Sequence, residues 1–173
     1  MHHRQSYTSF LLLISIVIAF FQTSYCTACC KSPWIGFQRH CYMFQTDTLK
    51  FQNAEDQCRS VSTSARHAHL ASITSENENI FILETFREIW PEWVNETRPS
   101  IWIGYHDRYT EGQFQWTDIG RKQYTNWNPE EPNDFRGKED CSAMWVDNND
   151  NGRWNDLRCN NINRFVCKIP QHV

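Results

Sequence analysis

Eight cysteines constrain this chain more than any other feature of its sequence. They are Cys26, Cys29, Cys30, Cys41, Cys58, Cys141, Cys159 and Cys167. In a chain that enters the secretory pathway, this many cysteines indicate disulfide bonds. Removal of Cys26 with a leader would leave seven, so we expect one thiol to be free or bonded to another chain.

The N-terminus has the pattern of a secretory signal peptide. A basic start precedes an apolar run from Phe10 to Phe21, and small polar residues follow it. The run is shorter than the roughly 20 residues that a membrane-spanning helix needs, which favours a cleaved leader over an anchor. We therefore predict that residues 1–28 are a signal peptide, cleaved after Cys26 or Ala28, and that residues 29–173 form one secreted domain.

Charge and composition exclude several kinds of partner. The chain has 17 Lys and Arg against 20 Asp and Glu, a formal net charge of −3. It shows no basic stripe of the kind that binds nucleic acid. It also has no polybasic or amphipathic segment of the kind that suggests membrane-surface binding, so neither membrane-surface binding nor membrane insertion is predicted. The triplet Asn95-Glu96-Thr97 is an N-glycosylation sequon, and we expect Asn95 to carry a glycan.

Hydrophobic spacing predicts two helices among short strands. Apolar residues recur at three- and four-residue steps between Lys50 and Val61. A second helix is expected to begin near Ser75, with Glu78 three residues on, and to end before Pro91. Aromatic and β-branched segments between polar turns predict the strands. These segments are WIGFQRHCYMF, IWIGYHD, GQFQW, CSAMWVD and RFVCKI.

One acidic stretch, EEPNDFRGKEDC at residues 130–141, fits neither a helix nor a strand. Gly and Pro break both, and neighbouring like charges repel. An isolated acidic run is usually a solvated turn, but this one lies in a long segment between Trp116 and Cys141 that nearly lacks aliphatic residues. A loop this long is typically functional or disordered. The tryptophans around it, including Trp127 and Trp154, favour order because aromatic rings need packing partners.

Oxygen donors in and after this loop predict a calcium site. Without cysteine thiolates or paired histidines, carboxylate and amide oxygens favour Ca²⁺ over Zn²⁺. The expected ligands are Glu131, Asn133, Glu139, Asn155 and Asp156. With one backbone carbonyl they supply about six oxygens, and because calcium accepts roughly six to eight, about two coordination places stay open.

A second set of oxygen donors predicts an auxiliary calcium beside the first. Asp134 and Asp140 directly follow Asn133 and Glu139, so neighbouring residues can turn towards two adjacent ions. The expected ligands of this second ion are Asp107, Glu111, Asp134 and Asp140. The site is not an EF-hand, because no Asp-x-Asp-x-Asp-Gly run ending in Glu is present.

At these residues the chain resembles the long form of the C-type lectin domain family. WIGY at 102–105, EPN at 131–133 and WND at 154–156 occur, together with six cysteines, in the order and approximate spacing of that family. The resemblance extends from Cys30 to about Ile169, nearly the whole of the expected mature chain.

The resemblance implies both a fold and a set of covalent links. The fold is α+β, with two helices flanking small antiparallel sheets and a long loop that carries the sugar site. The implied disulfide pairs are Cys30–Cys41, Cys58–Cys167 and Cys141–Cys159. In family members the bond before the proline of EPN is cis, which here would aim Glu131 and Asn133 at one ion.

The resemblance also implies a calcium-dependent lectin. In the family the Glu and Asn of EPN, the Glu two positions before Cys141, and the Asn and Asp of WND bind calcium. Here they correspond to Glu131, Asn133, Glu139, Asn155 and Asp156, of which the first four also bind the sugar. The Glu-Pro-Asn order is associated with mannose, glucose, fucose and N-acetylglucosamine, whereas Gln-Pro-Asp accompanies galactose. We therefore predict a secreted, Ca²⁺-dependent protein that binds mannose-type glycans, in glycan recognition or innate defence.

The chain departs from the family pattern at two points. Tyr105 stands where leucine is usual, and the segment DNNDNGR before Trp154 is longer than in many members. The longer segment affects the rim of the site and leaves the metal ligands in place. Of the aromatic residues near the loop, Trp127 and Phe135 are candidates to stack on a sugar, although core packing is the expected role of Trp127 and Trp154.

Three other interpretations are weaker. Glu131 and Glu139 could form the carboxylate pair of a glycosidase, but both are used as metal ligands, so no enzyme is predicted. His67 and His69 are two positions apart and would share one face if they lay on a strand, yet two ligands are too few for zinc. A lectin-like domain that binds a protein partner, with calcium in a structural role, is the main alternative, although such relatives often lack the ligands that this chain retains.

One cysteine is left over by the implied pairs. Cys29 stands beside Cys30, which the resemblance assigns to Cys41, so Cys29 is available to bridge two chains. We predict a disulfide-linked homodimer, in which two weak sugar sites gain avidity for clustered glycans.

Overall fold

The computed structural model describes residues 30–93, 99–118, 120, 123–147 and 152–171. The predicted signal peptide, Cys26, Cys29 and the sequon at Asn95 lie outside these residues. Within them, no helix has both the length and the apolar character needed to span a membrane.

Two helices and eight strands occur among the described residues, which is the α+β architecture implied by the resemblance. The helices are α1, Phe51–Ser60, and α2, Glu76–Ile89. The strands are β1, Ile35–Phe37; β2, His40–Leu49; β3, His69–Leu70; β4, Ser100–His106; β5, Gln115–Trp116; β6, Cys141–Trp145; β7, Trp154–Leu157; and β8, Asn163–Pro170. The predicted helices and strand segments are all present, whereas β3 and β7 lie where the sequence pattern predicts no strand.

The described strands form one sheet in the order β1-β2-β8-β4-β6-β7, with β3 paired to β8 and β5 paired to β4. A short parallel contact between β4 and β8 joins two antiparallel parts into this continuous mixed sheet. The long pairing of β2 with β8 runs from His40↔Pro170 to Leu49↔Asn163. The strands nearest the two ends of the domain therefore lie side by side, and β7 forms the opposite edge.

Helix α2 begins as its capping pattern predicts, because the Ser75 hydroxyl accepts a hydrogen bond from the Glu78 backbone N–H at 3.3 Å. The Glu78 carboxylate reaches back to the Thr74 backbone N–H at 2.7 Å. This carboxylate is buried, and it also accepts hydrogen bonds from the Tyr42 hydroxyl and the Lys168 ammonium, each at 2.5 Å. These bonds fasten α2 to β2 and β8.

Three disulfides close the fold, and they are the pairs that the resemblance implies. They are Cys30–Cys41, Cys58–Cys167 and Cys141–Cys159. Helix α1 buries Phe51, Ala54 and Cys58, so the bond from Cys58 ties its apolar face to β8. The bond from Cys141 links the first residue of β6 to the chain just after β7, and so closes the base of the region that carries the acidic loop.

Candidate functional site

Strand β7 carries the WND residues beside the acidic loop. It pairs with β6 through Ala143↔Asn155 and Ser142↔Asp156. Trp154 and Asp156 are completely buried, while Asn155 between them is partly exposed, as the alternation of a strand requires. The pairing thus fixes Asp156 within the sheet.

The Asp156 carboxylate organises the EPN segment. Its Oδ1 accepts a hydrogen bond from the Asn133 backbone N–H at 3.1 Å, and its Oδ2 accepts one from the Asp134 backbone N–H at 2.7 Å. Hydrogen bonds to an ionised acceptor are among the stronger ones in proteins. The peptide bond between Glu131 and Pro132 is cis, as the resemblance implies. The EPN segment is therefore fastened to β7 through its own backbone.

The second half of the loop closes around Asp134 and Glu139. Asp134 Oδ1 accepts from the Glu139 N–H at 3.0 Å, and the Asp134 carbonyl accepts from the Gly137 N–H at 2.8 Å. Glu139 Oε2 accepts from the Phe135 N–H at 3.3 Å. Asp134 has a positive φ of 41°, a conformation that costs a non-glycine residue some energy. Carboxylates of the loop thus hold its backbone in place of helix or sheet bonds.

The Asp156 carboxyl acts on both Glu131 and Glu139, although these three do not form one of the groups in the described residues whose ligand oxygens all lie within 4.8 Å of one another. Burial and the neighbouring Asp156 carboxyl raise the pKa of Glu131 to about 7. Burial also raises the pKa of Glu139, with a further contribution from Asp156. Glu131 Oε2 is buried and has no hydrogen-bond partner among the described residues. An oxygen without a donor, near the repelling Asp156 and Glu139 carboxylates, fits a hard divalent cation such as Ca²⁺.

Three of the four residues expected at a second ion also come together. The carboxylates of Asp107, Glu111 and Asp140 place ligand oxygens within 4.8 Å of one another. Asp107 Oδ2 accepts from the Gly112 N–H at 2.9 Å, whereas its Oδ1 is buried without a partner in the part of the chain described. Burial and the Asp140 charge raise the pKa of Asp107. The fourth residue, Asp134, lies outside this trio and uses one oxygen within the EPN loop.

Asn79, which the sequence pattern does not mark as functional, supports the Trp154 side of the candidate site. Asn79 of α2 is buried; its Oδ1 accepts from Trp154 Nε1 at 2.8 Å, and its Nδ2 donates to the Gly152 carbonyl at 3.1 Å. Asn126 Nδ2 donates to the same carbonyl at 2.9 Å. Gly152 has a φ of +70°, and a Cβ there would lie 2.6 Å from Asn79 Nδ2, so glycine is required. The only signal in the sequence is an amide at a helix position that spacing predicts to be buried.

The aromatic residues near the loop divide into packed and exposed rings. The Trp127 ring lies 5.9 Å from that of Trp154 and 5.0 Å from that of Phe114, measured between centroids. Phe135 is 54% exposed, with the Arg136 guanidinium 5.0 Å from its ring centroid. Trp127 is therefore part of the framework, and Phe135 is the ring available to a ligand.

The two histidines considered for zinc lie elsewhere. His69 Nδ1 is 2.7 Å from Glu55 Oε1, an interaction between β3 and α1. In the described ranges, neither His67 nor His69 belongs to a group of three close ligand atoms. The structure therefore offers no support for zinc at this pair.

Comparison with known proteins agrees with this fold. The family model of the Lectin C-type domain matches residues 47–169. The chain is 34% identical over 148 residues to echinoidin of Heliocidaris crassispina, covering 82% of this chain and 97% of echinoidin. It is 32% identical over 136 residues to the alpha-N-acetylgalactosamine-specific lectin of Patiria pectinifera, covering 79% and 77% of the two chains. The chain belongs to the C-type lectin domain family.

Solved structures show the same likeness. The C-type lectin CEL-I from Cucumaria echinata superposes with a TM-score of 0.74 at 28% identity, covering 83% of this chain and 99% of CEL-I. The C-type carbohydrate-recognition domain of cow CD23, in the presence of a GlcNAc2Man3 oligosaccharide, superposes with a TM-score of 0.65 at 32% identity, covering 80% and 94%. The homologues are carbohydrate-binding lectins, and C-type lectin domains generally bind Ca²⁺.

Proposed function

We propose that this chain is a secreted lectin that binds mannose-type glycans through a calcium ion. The ion's ligands would be Glu131, Asn133, Glu139, Asn155 and Asp156. The observation that supports this most is the buried, unpartnered Oε2 of Glu131 next to Asp156. Such an arrangement is unfavourable for the protein alone and becomes favourable when a cation balances the carboxylates.

The binding chemistry follows from the donors and acceptors around the ion. Calcium, when bound, offers coordination places to two adjacent hydroxyls of one sugar ring. Glu131 and Glu139 accept hydrogen bonds from those hydroxyls, and the amides of Asn133 and Asn155 donate to the hydroxyl oxygens. No bond is made or broken, and we propose no catalytic activity.

The sugar preference rests on the order of groups in the EPN segment. Glu131 accepts and Asn133 donates, so the two hydroxyls meet an asymmetric pair of partners. Family membership alone does not decide the sugar, since one relative is named for N-acetylgalactosamine and another structure contains a mannose-bearing oligosaccharide. The Glu-Pro-Asn order, associated in the family with mannose-type sugars, is what favours mannose here.

Affinity chromatography on a mannose resin tests the proposal. The wild-type protein should bind in calcium and be released by a chelator. It should also be released by acid, because the ligating carboxylates must be deprotonated to hold the ion. Free mannose should compete better than galactose. Release by high salt with no effect of the chelator would contradict the calcium site, and equal competition by galactose would contradict the preference.

A double substitution tests the role of donor order. Glu131→Gln with Asn133→Asp keeps the net charge and exchanges acceptor for donor. We expect this variant to bind calcium but to lose or reverse its sugar preference, since each mismatched polar group costs about 1 to 3 kcal/mol, roughly tenfold in affinity. Calcium uptake without binding to any glycan, in the wild type as well, would favour the alternative of a protein-binding domain with structural calcium.

Several further parts of the proposal come from the sequence. We propose that Asp107, Glu111 and Asp140, with Asp134 nearby, hold an auxiliary calcium. We also propose that residues 1–28 direct secretion. Cys29 would join two chains into a homodimer, which a non-reducing gel compared with Cys29→Ser tests. Asn95 would carry a glycan.

A further inference from the structure

A cleft of about 1090 Å³ lies between α1, β3, β5 and the ends of β4 and β8, and its lining residues His106 and Arg108 flank Asp107. One wall is the face of α1 that carries Gln52, Glu55 and Arg59, whose spacing of three and four residues places them on one side of a helix. The turn after β4 closes one end with Arg108 and Tyr109. None of the described residues that line the cleft is a candidate calcium ligand.

The cleft is basic, although the chain as a whole is acidic. Four cationic side chains line it against two carboxylates, and the carboxylates already have partners: Glu55 Oε2 accepts from the Leu70 N–H at 2.9 Å, and Asp118 Oδ2 accepts from the Ser72 hydroxyl at 2.7 Å. The four cations are Arg59, Arg66, Arg108 and Lys168. Because Lys168 is paired with Glu78, the positive charge that can act on a ligand comes from the three arginines.

The arginines are held to different degrees. Arg108 Nη1 donates to Gln52 Oε1 at 2.7 Å, and its guanidinium lies 4.9 Å from the centroid of the Phe51 ring. Arg66 Nη1 donates to the Pro170 carbonyl at 3.1 Å. The Arg59 guanidinium is exposed and makes no hydrogen bond or ion pair within the described part of the chain. Each therefore keeps several of its five N–H donors for another acceptor.

An exposed aromatic ring stands beside these cations. Tyr109 is 76% exposed; its ring centroid lies 5.5 Å from that of His106 and 5.9 Å from the Arg108 guanidinium. A flat exposed ring suits the apolar face of a sugar. Guanidinium groups suit planar or tetrahedral oxyanions, which they bind through two N–H bonds at once, and those of Arg66 and Arg108 are already held by contacts within the protein.

We propose that this cleft is a second saccharide site, independent of calcium, that binds an acidic sugar carrying a sulfate or carboxylate group. Arg59, Arg66 and Arg108 bind the anionic group, and Tyr109 stacks on the ring that carries it. The two sites would allow one chain to bind a neutral and an acidic part of the same glycan.

Binding measurements in the presence of excess chelator test this site without the calcium loop. The probes are a sulfated dextran oligosaccharide, a carboxylate-bearing oligogalacturonate and neutral dextran of the same length. We expect one or both acidic probes to bind and neutral dextran not to bind. Binding of the sulfated probe alone identifies sulfate as the anion, and binding of the oligogalacturonate alone identifies carboxylate. Failure of both acidic probes overturns the proposal.

Variants at exposed positions separate a built site from general attraction to charge. Arg59→Ala and Tyr109→Ala should each weaken acidic-probe binding by about five- to tenfold, the effect of one charge-assisted bond or one stacking contact. Lys50→Ala removes the same unit charge next to α1 but outside the cleft lining and should leave binding unchanged. Equal weakening by Lys50→Ala, or no effect of the two cleft variants, overturns the proposal. Mannose binding in calcium should be retained by all three variants.

Discussion

Two regions of this molecule bury carboxylates, wholly or in part, and they differ in how the negative charge is balanced. In the scaffold, Glu78 accepts hydrogen bonds from Lys168, Tyr42 and Thr74. Burial alone would raise the pKa of Glu78, but the Lys168 charge and these hydrogen bonds outweigh it and lower the pKa below its ordinary value. This cluster is complete within the protein and serves stability.

The loop cluster is the opposite case. Burial and the Asp156 carboxyl raise the pKa of both Glu131 and Glu139, and the hydrogen bonds to Glu139 and Asp156 in this region come from loop backbone N–H groups. The pKa of Glu131 rises to about 7 through burial and the Asp156 carboxyl. Burial of a carboxylate therefore does not by itself indicate a binding site, and the more informative feature is a carboxylate oxygen without a donor, such as Glu131 Oε2.

The largest effect is expected from removing the cation of the scaffold cluster. Lys168→Met should lower the free energy of unfolding by about 3 to 5 kcal/mol, because it leaves the Glu78 carboxylate buried without its charge partner. Chemical denaturation at neutral pH measures the change. In Glu78→Gln/Lys168→Met the loss should be smaller. A loss of less than about 1 kcal/mol in the Lys168→Met variant, the level of an exposed ion pair, would contradict the claim that Lys168 balances the buried Glu78 charge.

The same cluster predicts a pH dependence with a definite sign. The pKa of Glu78 is lower in the folded protein than in the unfolded chain, so the stability it contributes is fully present above the unfolded pKa. That contribution is lost as the pH falls through the folded value. Glu78→Gln should therefore flatten the acid limb of a stability-against-pH curve, and an unchanged limb would argue against this role.

In the loop cluster, loss of a carboxylate should not destabilise the calcium-free protein, in contrast to changes at the Glu78–Lys168 pair. Calcium at about 100 times its Kd stabilises a protein that binds it by about 2.7 kcal/mol. Glu131→Gln should remove most of this increment and leave calcium-free stability unchanged or raised, since it relieves repulsion with Asp156. Thermal unfolding with and without calcium measures both quantities. Marked destabilisation of the calcium-free variant would show that Glu131 is structural.

A smaller effect is expected from changing Asn79, which hydrogen-bonds Trp154 and Gly152 beside the loop. Asn79→Ala should weaken calcium binding about tenfold, because it leaves the Trp154 indole N–H unpaired, at a cost of about 1 kcal/mol or more, and removes one of the two hydrogen bonds to the Gly152 carbonyl. Trp154→Phe removes the same indole bond from the other side, so the two effects should not add. Titration calorimetry measures the affinities. Ile82→Val, a buried substitution on the same helix, is the control and should leave calcium affinity unchanged.

The smallest effect concerns the exposed ring. Phe135→Ala should weaken sugar binding by roughly threefold to tenfold, the range of one aromatic contact, and should not change calcium affinity. Measuring both constants on one protein preparation separates stacking from damage to the loop. A parallel loss of calcium affinity would mean that Phe135 supports the loop instead of contacting the sugar.

Local patterns predict the helices well, because their signals lie within a few residues of each other. The apolar steps from Lys50 to Val61 and the Ser75 cap correspond closely to α1 and α2. The assignment of the candidate ligands, in contrast, uses residues that lie far apart in the sequence and is supported by motifs, such as EPN and WND, that are similar to those of a known family. The spacing alone does not reveal that both Asp156 oxygens bind the loop backbone.

Local sequence patterns do not predict contacts between distant parts of the chain. Asn79 and Gly152 are 73 positions apart, and Glu78 and Lys168 are 90 apart, so no periodicity links them. Strands β3 and β7 have two and four residues, and they are ordered mainly by the strands beside them. Their register depends on tertiary pairing, which short-range propensity does not specify.

The order of strands in the sheet determines where a tether at either end of the domain would be attached relative to β7. Residues near both ends of the described chain meet at one side, where the Gln171 N–H donates to the Arg39 carbonyl at 2.8 Å, and β7 with its loop lies at the opposite edge. A tether attached at either end would therefore join the domain at the side of the sheet opposite β7. Copies tethered in the same way would share one orientation, a geometry suited to dense arrays of repeated sugars.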